Sequence, residues 1–173
     1  MKKLLKVLLA LVMAVTLVAC GGGESENNEK PNNNETPNTE EKEYTFVYNN
    51  TTVKMNEETT DILAGLGKEL SYFEAPSCAF EGLDKTYTYP GFQLTTYPKG
   101  NADHVNTVTF KDDSVTTSEG VYIGGTKDSV VKAYGENYTE NNGAYVYTAG
   151  KSQLEFIFTD DTIVSITYKA ITQ

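Results

Sequence analysis

Two stretches of the chain carry the same spacing of apolar positions. In VKMNEETTDILAGLG, from Val53 to Gly67, and VYIGGTKDSVVKAYG, from Val121 to Gly135, Val53 aligns with Val121, Met55 with Ile123, Ile62 with Val130, Leu63 with Val131, Leu66 with Tyr134 and Gly67 with Gly135, with no gap. Ile62, Leu63 and Leu66 fall at i, i+1 and i+4, as do Val130, Val131 and Tyr134, and this spacing predicts a short helix with one narrow apolar stripe in each copy. Before the second helix, Gly124-Gly125 breaks an extended Val121 to Ile123. Thr126 is placed to cap that helix, and Asp128 lies in the first turn, where the helix dipole favours an anion. Gly67 and Gly135 stand where a helix is closed by a residue of positive φ, a conformation that costs glycine little. About nine residues is below the length at which a helix is stable alone in water, so each stripe must pack on a sheet.

The sheet positions follow. Ala144 to Thr148, Ser152 to Phe158 and Thr162 to Tyr168 are β-branched or aromatic runs, separated by the turn compositions Ala149-Gly150-Lys151 and Thr159-Asp160-Asp161. Leu154, Phe156 and Phe158 share one face at period two, as do Val164, Ile166 and Tyr168, while Gln153, Glu155, Ser165 and Thr167 take the other. This predicts an antiparallel meander with one buried and one wet face. Upstream, Lys85 to Tyr89, a Pro90-Gly91 turn, Phe92 to Tyr97 and His104 to Phe110 repeat the design, with Tyr87/Tyr89 matched to Tyr145/Tyr147 and Gln93-Leu94 to Gln153-Leu154. Tyr44 to Tyr48 and Thr51 to Met55 flank Asn49-Asn50 as a hairpin. Ser71 to Asp84 lies between the first helix and its sheet and has no counterpart in the second copy. The expected fold class is therefore α+β: two tandem units, residues 44–111 and 120–173, each a short helix packed on an antiparallel β-meander, joined by a linker at 112–119.

The first 43 residues stand outside that pattern. Lys2, Lys3 and Lys6 precede an apolar run from Val7 to Val18, and the segment ends in Leu17-Val18-Ala19-Cys20. Residues 1–20 resemble a bacterial lipoprotein signal. The resemblance implies that Cys20 is lipidated and becomes the mature N-terminus, which would place the chain on the cell membrane, lipid-anchored and facing outward. About 15 apolar residues are too few to span a bilayer as a helix, whereas a two-chain lipid gives stable attachment. Residues 21–43, rich in Asn, Glu and Pro, hold no aromatic and no large aliphatic side chain, and are expected to form a disordered tether with a reach of about 25 to 30 Å.

Charge narrows the partners. Without the three signal lysines, 11 Lys and no Arg face 24 Asp and Glu, a mature charge near −13 (11 − 24). That balance weighs against nucleic acid and anionic wall polymers, and favours a neutral or basic partner. Groups for catalysis are few. His104 is the only His and Cys78 the only thiol left once Cys20 is modified; no Lys or Arg adjoins Cys78 to activate it, and it has no cysteine to pair with. Asp112-Asp113 and Asp160-Asp161 lack the spacing of a calcium loop, and Gly124-Gly125-Thr126 lacks the lysine of a phosphate loop. The expectation is a binding module without metal or cofactor rather than an enzyme, the alternative being a cell-envelope enzyme acting on wall or peptide substrates. Tyr87, Tyr89, Tyr145 and Tyr147 at strand spacing are the candidate ligand-binding residues, as an aromatic face for a protein or glycan; core packing is the competing account of the same spacing.

Gly124-x-Thr126-x-Asp128-x-Val130-x-x-x-Tyr134-Gly135, followed by a strand meander, resembles the helix-on-sheet units of the β-lactamase-inhibitor-protein and outer-membrane-assembly-lipoprotein (SmpA/OmlA-like) group. The resemblance implies a tandem of two units and a binding role, of which inhibition of an enzyme is one form. The first copy departs from it, with Asn56, Glu57 and Glu58 in place of Gly-Gly-Thr, and Cys78 alone cannot supply the inhibitor's disulfides. No inhibitory residue carries over.

Overall fold

The computed structural model describes residues 42–172, all within one compact unit. The signal, Cys20 and all of the tether but residues 42 and 43 lie outside the described residues.

Local sequence sets the first elements. Strands β1 (Thr45–Tyr48) and β2 (Thr51–Lys54) pair as a hairpin around Asn49 and Asn50, at φ 48° and 63°. Two consecutive left-handed residues are what a two-residue turn needs to match strand twist, and Asn tolerates them. Helix α1 (Thr59–Leu66) follows, and α2 (Lys127–Tyr134) occupies the aligned positions downstream. Thr126 caps α2 through a box: its Oγ1 accepts from the Ser129 backbone N–H, and the Ser129 hydroxyl accepts from the Thr126 N–H, both at 3.2 Å. Glu58 precedes α1 with no side-chain cap. Gly67 and Gly135 close the two helices at φ 81° each.

Eight further strands follow: β3 (Ser71–Pro76), β4 (Leu83–Tyr89), β5 (Phe92–Lys99), β6 (Ala102–Phe110), β7 (Thr139–Asn141), β8 (Ala144–Ala149), β9 (Ser152–Thr159) and β10 (Thr162–Ala170). All join one antiparallel sheet in the order β3-β4-β5-β6-β10-β9-β8-β7. This corrects the expected class of two tandem helix-on-meander units. The described residues are mostly antiparallel β, with two eight-residue helices, and the strands do not close into separate meanders. β6 pairs with β10 through Thr107–Lys169, Val108–Tyr168 and Thr109–Thr167. Each meander alone would leave a long strand edge unpaired at β6 or β10, and fusing them removes both edges. The stretch from Ser71 to Asp84 is likewise more than a connection: its first half is the edge strand β3, matched at the far edge by the short β7.

Cross-strand register also shifts the tyrosine correspondence. Tyr87 stands opposite Leu94 and Tyr147 opposite Leu154. Tyr87 therefore corresponds to Tyr147, and Lys85 to Tyr145, two positions away from the match drawn on sequence alone.

The core lies on one face of the sheet. Leu94, Val108, Leu154, Phe156 and Tyr168 pack there with Ile62 and Leu66 of α1, Val130 of α2 and Phe46 and Val53 of the hairpin. Phe46 has no exposed surface, and its ring centroid lies 4.9 Å from Phe92, 5.3 Å from Phe110 and 6.0 Å from Tyr168. It bridges β5, β6 and β10 over the line where the two halves of the sheet meet.

Candidate functional site

Strand alternation sends every second side chain to the face that the helices and the hairpin do not cover. One row crosses all eight strands: Ser71, Thr88, Gln93, Thr109, Thr167, Glu155, Val146 and Thr139. A second crosses seven: Phe73, Thr86, Thr95, Thr107, Lys169, Gln153 and Thr148. Threonine dominates both rows. Its β-branched side chain is restricted at χ1, and its hydroxyl both donates and accepts.

Neighbouring side chains hold one another in place. The Thr95 and Thr107 hydroxyls are 2.8 Å apart, and Lys169 Nζ donates to Glu155 Oε1 at 2.6 Å. Gln93 Nε2 donates to Thr88 Oγ1 at 3.4 Å, and the same pairing recurs between Gln153 and Thr148 at 3.4 Å. Because Lys169 and Glu155 neutralise each other, the middle of this face is polar without net charge. At its β7–β10 end the face holds a hollow of about 480 Å³ lined by Thr139, Glu140, Asn141, Val146, Thr148, Gln153, Glu155 and Lys169. Such a surface can exchange hydrogen bonds with hydroxyls, amides and backbone groups, and it is already ordered when a partner arrives.

The four tyrosines expected to bind ligand lie on the other face. Tyr89 is 3% and Tyr147 1% exposed, and both belong to the core. Burial pushes each phenol up to about 12. Tyr87 and Tyr145 are half-buried against the same core: Tyr87 packs on Tyr72 with centroids 5.1 Å apart, and Tyr145 stacks on Tyr138 at 3.8 Å. The structure therefore seals Tyr89 and Tyr147 in the core and leaves Tyr87 and Tyr145 only partly accessible at its margins. Period-two spacing groups side chains on one face without saying which face the helices cover. The threonines were visible in the same pattern, since Thr86 and Thr88 alternate with Tyr87 and Tyr89, and Thr107 and Thr109 with Val108 and Phe110.

A second concavity, of about 440 Å³, lies beside the β5–β6 turn among Asn56, Phe80, Glu81, Tyr97, Pro98, Lys99, Gly100, Lys151, Ile171 and Thr172. Asn56 organises its wall. The Tyr97 hydroxyl donates to Asn56 Oδ1 at 3.0 Å, and Asn56 Nδ2 donates to the Lys151 carbonyl at 2.9 Å. The Asn56 carbonyl lies 2.8 Å from His104 Nδ1, and since a carbonyl only accepts, the proton sits on that nitrogen. His104 is thus engaged in structure, while Cys78 is exposed in the β3–β4 loop. Among the described residues, no group of three or more His, Cys, Asp and Glu side chains is placed to hold a metal ion.

No protein-family model, curated protein or solved structure matches the chain.

Proposed function

We propose that this chain is a membrane-anchored lipoprotein, facing outward, whose folded part binds a protein or glycan partner through the open polar face of its sheet. The observation that carries the reading is the pair of continuous rows crossing the sheet, ending in the hollow over β7–β10. One face of the sheet is sealed by helices and hairpin, and the other offers a preordered, largely neutral array of hydroxyl and amide groups. The anchor rests on Leu17-Val18-Ala19-Cys20 and the basic, then apolar, stretch before it. A mature charge near −13 (11 − 24) directs the module to a neutral or basic partner.

The test compares partner capture from the native envelope by the wild-type chain and by a Thr107→Arg, Thr148→Arg double variant. These positions face away from the core, so the variant should keep its circular dichroism and thermal midpoint while two long cations obstruct the face. Specific capture that disappears in the folded variant supports the reading. Equal capture by both would rule out this face as the binding surface.

A further inference from the structure

The two edges of the sheet differ in a way that points to a partner for one of them. At one edge, β7 has only three residues, all exposed, with Glu140 in the middle; shortness and charge are the usual protections of an edge. At the other, β3 has six residues, and no register shift interrupts its pairing with β4. Its apolar side chains are in solvent: Phe73 is 66% and Tyr72 45% exposed, and Leu70 just before the strand 69%. No lysine lies in β3, and Glu74 and Pro76 are the only edge-protecting residues in its six.

The backbone sets which groups of β3 are free. Ser77 N–H donates to the Gly82 carbonyl at 3.0 Å, and this pair continues the β3–β4 register by one step. Hydrogen-bonded residues alternate along an antiparallel ladder. Ser71, Phe73 and Ala75 therefore direct their amides to β4, and Tyr72, Glu74 and Pro76 direct theirs to the open edge. Pro76, which has no N–H, stands where none is needed. Tyr72 and Glu74 are left with both N–H and C=O outward.

We infer that β3 pairs antiparallel with β3 of a second copy of this chain, in a register centred on Phe73. In that register Tyr72 lies opposite Glu74 of the second copy, and the outward groups of both residues are satisfied across the two-fold axis. The two Phe73 side chains meet on the open face as a non-hydrogen-bonded pair, the closer of the two pair types. Within one chain the Tyr72 hydroxyl already donates to the Glu74 carboxylate, so the same donor and acceptor face each other between copies. A shift of two residues in one direction sets Glu74 directly against Glu74, which like charge disfavours. A shift in the other sets each Glu74 against Leu70. A heteromeric strand would gain the same backbone bonds, but only a second copy accounts for the self-complementary order Tyr72, Phe73, Glu74. The result is one sheet running through two molecules, with the open polar face continuous across the join.

Cross-linking reads both the contact and its register. In the full chain in detergent, with Cys78→Ser removing the one thiol left once Cys20 is lipidated, Phe73→Cys should form a disulfide-linked dimer under mild oxidation. A central non-hydrogen-bonded pair brings the two Cα atoms to about 4.5 Å, within reach of a disulfide. Ser71→Cys, which faces Ala75 of the second copy, should not cross-link. In sedimentation, Phe73→Lys should weaken self-association at least on the order of tenfold, since each substitution enters an isologous contact twice. Absence of the Phe73→Cys cross-link would overturn the inference. So would equal cross-linking at both positions, self-association unchanged by Phe73→Lys, or a chain that stays monomeric while taking up an extended peptide at β3.

Discussion

The hydroxyl of Tyr147 donates to the carbonyl oxygen of Gly135 at 2.8 Å, so β8 holds the closing residue of α2. Gly135 sits at φ 81°, ψ −171°, a region open essentially to glycine alone. A Cβ there would meet nothing within 4 Å. The cost of Gly135→Val is therefore conformational, on the order of 2 to 3 kcal/mol, and Gly67→Val at φ 81°, ψ −158° should cost about as much. Tyr147→Phe, which leaves the ring and frees the carbonyl, should cost about 1 kcal/mol. Urea unfolding measures all three, and wild-type stability in Gly135→Val would refute the account.

Tyr168 lies at the join of the half-sheets with 1% of its surface exposed, and its hydroxyl makes no hydrogen bond of full geometry, although the Tyr134 hydroxyl and the Ser118 backbone lie close to it. An unmet buried hydroxyl costs roughly 1 to 3 kcal/mol. Tyr168→Phe should accordingly leave the thermal midpoint unchanged or raise it, where an ordinary core substitution lowers it. A fall of several degrees would show that the oxygen has a partner.

Alkaline pH should unfold the protein over a defined window. Burial pushes Tyr89 and Tyr147 up to about 12 and raises Tyr134 and Tyr168 as well, whereas an unfolded phenol ionises near 10. Below about pH 10 both states keep the proton and stability is at its full value. From about pH 10 to 12 only the unfolded state releases it, and each such group lowers stability by about 1.4 kcal/mol per pH unit. Melting curves paired with tyrosinate absorbance check this; a midpoint that stays flat from about pH 9 to 12 contradicts it.

Cys20→Ala should abolish metabolic labelling by fatty acid and leave the leader uncleaved. Labelling of the variant at the wild-type level would remove the proposed anchor, whatever the sheet binds.

Elements set by nearest neighbours were legible in the sequence. Asn49-Asn50 specifies a turn, Gly67 and Gly135 specify helix ends, and Thr126 with Asp128 specifies a helix start, because each depends on the dihedral or hydrogen-bonding options of a few residues. What depended on distant pairing was not legible. Nothing near Val108 announces that it will stand beside Tyr168. β3 escaped notice because neither of its faces is buried, so Tyr72 and Phe73 show no alternation, and β7 because Thr139, Glu140 and Asn141 carry no apolar signal. The placement of the four tyrosines was legible only in part: alternation separated Tyr87 and Tyr89 from Thr86 and Thr88 correctly, but the side covered by α1, α2 and the hairpin is decided by the whole sheet.

Only three residue pairs join β6 to β10, and the side chain that spans them, Phe46, stands two residues after Tyr44, where the chain enters the fold. Tyr44 is itself fastened, its N–H donating to Ser152 Oγ at 2.7 Å. Tension arriving along the N-terminal chain would thus enter at Ser152 and pass next to Phe46, loading β9 and the hairpin before any strand at the outer edges. Load entering by that end therefore reaches the middle of the sheet, where Phe46 covers the three-pair β6–β10 join, before it reaches either outer edge.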